Sequence, residues 1–230
     1  MQLFCFTFAG GTAAFFDRLA EACAPEIQLV KLEYPGHGTR YKEKLCATFQ
    51  ELSQDLYERI RDNYSGGGYA LLGYSMGSIA ALETLRYLTE RNELPSPDHI
   101  FLAAHQPKLV VDLSKYSSEN IDEYVKNRTV RFGGVPEQLV DNKIFWRTYL
   151  PLFKADYLMI GRYDFEKLQF TSDIPAVAFY SETDIPRTEM EQWNRYFTSG
   201  CELVEYTGGH FFINEHYREM AALIKERLGV

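Results

Sequence analysis

The feature that most constrains this chain is a five-residue turn, Gly73-Tyr74-Ser75-Met76-Gly77. It stands between an apolar run at residues 69–72 and a helical pattern at residues 76–88. A G-x-S-x-G turn that joins a strand directly to a helix lifts the serine side chain clear of both elements. Side chains two positions either side of the serine would collide with neighbouring backbone, so glycine is required at 73 and 77. The start of the following helix adds a field that favours negative charge developing beside Ser75. The same five residues could occur by chance in an ordinary turn. The strand before and the helix after distinguish this one, and Ser75 reads as a nucleophile.

Around this turn the sequence alternates. Residues 3–8 read as a strand and residues 13–23 as a helix. Residues 27–32 read as a second strand, stopped by Pro35-Gly36. Residues 49–60 carry a helical stripe of Phe49, Leu52, Leu56 and Ile60, and strands follow at 69–74 and 100–104. Beyond a break, strand (174–180), helix (189–197), strand (203–206) and helix (213–228) resume the pattern. Such alternation predicts an α/β fold with a mostly parallel sheet, right-handed crossovers and helices on both faces. A length of 230 residues suits one domain spanning 1–230.

The break, residues 113–170, has helical patterning and no clear strand. Its large apolar residues include Phe132, Phe145, Trp146, Phe153 and Tyr157, in a chain that is 15% aromatic. An aromatic helical insertion between sheet strands predicts a lid over a site. A helical subdomain with its own small core is the plainer reading, and the two are compatible.

Several functions are disfavoured. The 46% apolar content argues against disorder. The formal net charge of −8 argues against nucleic acid as a partner. Cys5, Cys23, Cys46 and Cys201 form no CxxC pair and have no histidine at zinc-finger spacing, so no metal is expected. Free thiols fit a reducing compartment. The apolar N-terminus lacks the basic residues of a signal peptide, and no run is long enough to span a bilayer. The expectation is a cytoplasmic, monomeric protein with no membrane association.

A serine nucleophile needs a base, an acid and an oxyanion hole. After an elbow of this kind, acid and then histidine follow in the chain. His210, in Thr207-Gly208-Gly209-His210, comes directly after the strand at 203–206. His216 falls inside the final helical pattern, His37 reads as a loop residue at the site's rim, and His99 and His105 flank the strand at 100–104. The strand at 174–180 is followed by Ser181-Glu182-Thr183-Asp184. Asp184 is the preferred acid and Glu182 its competitor, while Asp173 lies at the wrong end of the strand and Asp112 comes too late. The backbone N–H groups of Met76 and of Ala9, after the first strand, are the expected oxyanion donors.

Together these residues resemble the stand-alone (type II) thioesterases of nonribosomal peptide and polyketide biosynthesis, of the α/β-hydrolase superfamily. The resemblance runs through Phe6-Thr7-Phe8-Ala9-Gly10-Gly11, the loop Tyr34-Pro35-Gly36-His37-Gly38-Thr39-Arg40 and the Ser75 elbow. It continues through residues 150–157, Asp184, Trp193 and Gly209-His210-Phe211-Phe212, so it covers nearly the whole chain. Tyr74 stands where the family usually has histidine, and Lys154 where it has arginine. The resemblance implies an acyl group on the phosphopantetheine arm of an acyl or peptidyl carrier protein, and release of misprimed or stalled intermediates. No cofactor is implied beyond that arm, which belongs to the partner. An acidic carrier would meet Lys115, Lys126, Arg128 and Arg131, in or beside the insertion. The same catalytic set would serve an esterase acting on oxygen esters, or acyl transfer in a dry site. A catalytically silent carrier-binding module is the rival from another class.

Overall fold

A computed structural model describes residues 1–108 and 120–230. Among them, six strands form one sheet in the order β2-β1-β3-β4-β5-β6, every pairing parallel. The strands are β1 (Gln2–Phe6), β2 (Gln28–Leu32), β3 (Tyr69–Tyr74), β4 (His99–Ala103), β5 (Ala176–Tyr180) and β6 (Cys201–Glu205). Their helices are α1 (Asp17–Cys23), α2 (Phe49–Asn63), α3 (Met76–Arg91), α4 (Ile121–Arg131), α5 (Lys143–Arg162), α6 (Arg187–Met190) and α7 (Ile213–Leu228).

The central strands are apolar on both faces because both faces are covered. Phe4, Phe6 and Leu71 pack against α2, α3 and α5, while the alternate residues Leu3, Cys5 and Leu72 pack against α1 and α7. The edge strands β2 and β6 are less buried. The four cysteines are free thiols.

The connection from β1 leads outward to β2, and the next strand, β3, returns to the other side of β1. The chain order therefore reverses between β1 and β3, and a crevice opens beyond their C-terminal ends. That is where the loop after β1 and the turn after β3 face one another. Between β4 and β5 the described chain holds α4, α5 and short 3₁₀ turns. Asp112, the predicted insertion boundary at Leu113 and Lys115 lie outside the described residues.

Two predicted elements differ. The first strand stops at Phe6, so that Thr7 and Phe8 begin the loop after it. The helix predicted over 189–197 is one α-helical turn, α6, followed by a 3₁₀ stretch, Glu191–Arg195. Its buried residues Met190, Trp193 and Tyr196 recur every third position, which suits a 3₁₀ turn better than a 3.6-residue helix.

Candidate active site

Ser75 occupies the turn between β3 and α3 with φ 54° and ψ −118°, an unfavourable backbone for a residue with a side chain. Its surroundings explain why the strain persists. The Ser75 N–H donates to the Ala103 carbonyl at 2.7 Å, and the Ser78 hydroxyl bridges the backbones of Gly73 and Ala103. A Cβ at Gly77 would strike the carbonyls of Phe6 and Thr7, and one at Gly73 would strike the backbone of Gly77. The turn is thus pressed between β1 and its own helix, with no room for side chains.

His210 Nε2 lies 3.0 Å from Ser75 Oγ, and His210 Nδ1 lies 2.7 Å from Asp184 Oδ2. The two side chains of that second contact are 10% and 8% exposed, so water scarcely competes for them. Glu182 is turned away: its carboxylate accepts from the Arg187 N–H at the start of α6. Of the two acids open in the sequence, only Asp184 reaches the imidazole. A hydroxyl, an imidazole and a carboxylate in this line can transfer a proton away from oxygen as it attacks.

The histidine loop is held by contacts that the sequence did not announce. Ser181 and Thr183 hydroxyls donate to the Gly208 carbonyl. The Tyr74 hydroxyl donates to the His210 carbonyl at 2.8 Å, and its ring stacks on Phe211. Tyr74 is fully buried, so the residue that departs from the family pattern anchors the histidine backbone from beneath.

Met76 is the first residue of α3, and its N–H has no carbonyl one helical turn earlier. Ala9 lines the same cavity as Ser75. The next amide, Gly10 N–H, donates to Asp156 Oδ2 on α5 at 2.7 Å. The same oxygen lies 2.9 Å from His37 Nε2, and His37 Nδ1 lies 3.0 Å from the Pro35 carbonyl. His37 is only 2% exposed, so the expectation of a rim residue is corrected: it is buried beneath the site. Burial pushes its pKa down, but the charge and hydrogen bond of Asp156 outweigh this and leave it raised. One carboxylate on α5 therefore ties together the loops after β1 and β2. Gly10, at φ 75°, also leaves the space that the Phe153 ring of α5 occupies.

Above Ser75 lies a cavity of about 1110 Å³, bounded by the strand ends and by α4 and α5. The Phe132 ring stands 4.5 Å from the His210 ring. His105, given no role from the sequence, is buried in the cavity wall, and its backbone carbonyl accepts from Trp193 Nε1. Burial first, and then the proximity of His210 and Arg128, lower its pKa to about 3. His216 lies 3.1 Å from the Thr207 hydroxyl, away from Ser75, and His99 begins β4. Among the described residues no cluster of histidine, cysteine or acidic side chains could hold a metal, and no helix is long and apolar enough to cross a membrane.

A mostly parallel sheet, a serine at a strand–turn–helix elbow, and an acid and histidine after later strands define the α/β-hydrolase fold. Within that class the chain belongs to the thioesterase family, whose thioesterase domain matches residues 1–228. It is 26% identical over 230 residues to Thioesterase PikA5 of Streptomyces venezuelae, covering 99% of this chain and 81% of that one. It is 24% identical to the gramicidin S biosynthesis protein GrsT of Aneurinibacillus migulanus, covering 99% and 89%. The crystal structure of ClbQ from the colibactin nonribosomal peptide/polyketide pathway superimposes with a TM-score of 0.87 at 26% identity, covering 99% and 96%.

Proposed function

We propose that this chain is a stand-alone type II thioesterase that hydrolyses acyl groups from the phosphopantetheine arm of carrier proteins. Its role is to release misprimed or stalled intermediates in nonribosomal peptide or polyketide synthesis, as a cytoplasmic monomer. The observation that carries this reading is the hydrogen-bonded line Ser75–His210–Asp184 at the reversal of the sheet, in a chain of the thioesterase family. The name of PikA5 supports the activity, and those of GrsT and ClbQ support the biosynthetic setting.

In this mechanism Ser75 Oγ attacks the thioester carbonyl carbon while His210 Nε2 takes its proton. Asp184 holds the imidazole with its proton on Nδ1 and stabilises the imidazolium. The N–H groups of Met76 and Ala9 hold the oxyanion. Collapse breaks the carbon–sulfur bond, and His210 returns the proton to the departing thiol. Water then attacks the acyl-serine as His210 takes its proton. A second collapse releases the carboxylic acid, and His210 restores the Ser75 hydroxyl. Every proton is carried by His210, so the reaction needs no metal or dissociable cofactor.

In this reading α4 and α5, within the insertion at 113–170, act as a lid that shapes the acyl entrance. Lys126 and Arg131 are the carrier-docking cations of this reading, Arg131 being exposed although it also lines the cavity. Arg128 is directed differently: it lines the cavity half-buried, with its Nε out of reach of solvent. The test compares kcat/KM for an acylated carrier protein with that for a simple oxygen ester of the same acyl group. A preference for the carrier thioester is expected. Faster turnover of the oxygen ester would make the chain an esterase instead.

A further inference from the structure

Two side chains that line the cavity over Ser75, neither used in hydrolysis, each carry a buried nitrogen without a hydrogen-bond partner. Arg128 on α4 lies against three rings, its Cζ 4.8 Å from the centroid of Phe132, 5.8 Å from Tyr157 and 6.0 Å from Tyr124. Its Nε is buried without a hydrogen-bond partner, and no carboxylate among the described residues pairs with it. Among the neighbouring cations Lys108 pairs with Glu189, Lys154 with Asp122, and Lys126 lies over the Trp146 ring, while Arg131, also on the cavity wall, is exposed to water. His105, at the end of β4, is only 4% exposed, lines the same cavity, and likewise has its Nε2 buried and unpartnered. The depressed pKa described above keeps its ring neutral.

Two buried polar groups left open are costly unless something completes them. A guanidinium and a neutral imidazole on the wall of one cavity, with aromatic rings alongside, suit a carboxylate at the end of a short aliphatic stem. Among the described residues, the acidic side chains on the cavity wall do not fill that role. Asp184 is taken by His210, and Glu123 is exposed and a full turn of α4 away from Arg128.

We infer that Arg128 and His105 form an acyl-group subsite that selects acyl chains ending in a carboxylate. This rests on the thioesterase reading and names its substrate class. The arm's phosphate is the other anion that Arg128 could meet. Position favours the acyl group. The Phe132 ring lies between the guanidinium and the catalytic His210 imidazole, 4.8 Å from the one and 4.5 Å from the other. The phosphate of a pantetheine arm is held from its sulfur by two amide units and their methylenes, much farther than one ring.

The test uses thioesters of N-acetylcysteamine, which carry no phosphate, with glutaryl and hexanoyl as acid and neutral acyl groups. The wild-type protein is expected to show the higher kcat/KM for glutaryl. Arg128→Gln should lower the glutaryl-to-hexanoyl ratio about tenfold or more, the scale of a hydrogen bond to a charged group. His105→Gln should lower the ratio less, and Arg128→Glu should shift preference toward an acyl group bearing an amine. A wild-type ratio near unity overturns the inference whatever the variants do. So does an Arg128→Gln protein that loses both substrates equally, since the arginine would then support the fold. If Arg128→Gln slows only substrates on a phosphopantetheine arm, irrespective of acyl group, the phosphate is its partner and the inference is wrong. A wild-type protein that hydrolyses no thioester at all contradicts the proposed function rather than the subsite.

Discussion

The C-terminal edge of the sheet and the helical cover above it bound one cavity, but they are built differently. At the sheet edge the reacting groups are placed by backbone. Ser75 is fixed by its own amide, by the close approach of Gly77 to β1, and by ladders on both sides of β3. His210 is fixed through carbonyls at 208 and 210. The cover contributes side chains: Phe132, Arg128, Tyr157, Phe153 and Asp156. Backbone placement tolerates little substitution, whereas side-chain placement allows variation without disturbing the sheet. On this account the chemistry resides in the sheet edge and substrate choice in the cover.

If that division holds, the largest effect comes from the sheet edge. Ser75→Ala should reduce thioester hydrolysis by about 10⁴-fold or more while the protein stays folded, read by steady-state kinetics alongside circular dichroism. Asp184→Asn should cost kcat on the order of 10⁴-fold, because the amide can hold the wrong imidazole tautomer, and Glu182→Gln should cost little. Equal losses at 182 and 184 would break the assignment.

The next effect is at the junction of the two regions. Asp156→Asn removes the charge that His37 and Gly10 share, and breaking such a buried pair costs about 3–5 kcal/mol. Thermal unfolding should show the loss, and kcat should fall more than KM rises, because the Ala9 amide is next to the released Gly10. The folded pKa of His37 is raised, so the pair's stabilisation is fully present below the unfolded histidine value and lost as pH rises through the folded one. The gap in Tm between wild type and Asp156→Asn should therefore narrow in alkaline buffer. A gap that widens would assign the stabilisation to other groups.

The smallest effect concerns His105, whose pKa is lowered to about 3. Its contribution is intact above the unfolded value of about 6.5 and is lost as pH falls from there toward the folded value. His105→Gln should blunt the acid-side loss of Tm. If both proteins lose stability in parallel, His105 is not the group responsible.

The same division explains what could be read from the sequence. The alternation of strands and helices, the elbow and the order of Ser75, Asp184 and His210 are local patterns with a fixed chain order. The parallel sheet has the predicted order of elements. The stretch at 189–197 departs from the expected α-helix because its apolar spacing of three residues, though close to 3.6, is that of a 3₁₀ turn. Asp156 and Gly10 are 146 positions apart, and no local pattern links them. His37 is the loop residue its sequence indicates, but its burial beneath the rim depends on that distant carboxylate. That Arg128 lines the cavity was not legible, because a basic side chain on a polar helix gives no sign of which way it points. The mean hydropathy of −0.29 is equally silent on such choices.

The central claim is that Ser75 becomes acylated through His210. Incubation with a slowly hydrolysed acyl thioester or a fluorophosphonate, followed by peptide mass spectrometry, tests it directly. The account predicts one adduct on the peptide containing Ser75, absent from Ser75→Ala and strongly reduced in His210→Ala. An adduct on another residue, with Ser75 unmodified in an active protein, would contradict it.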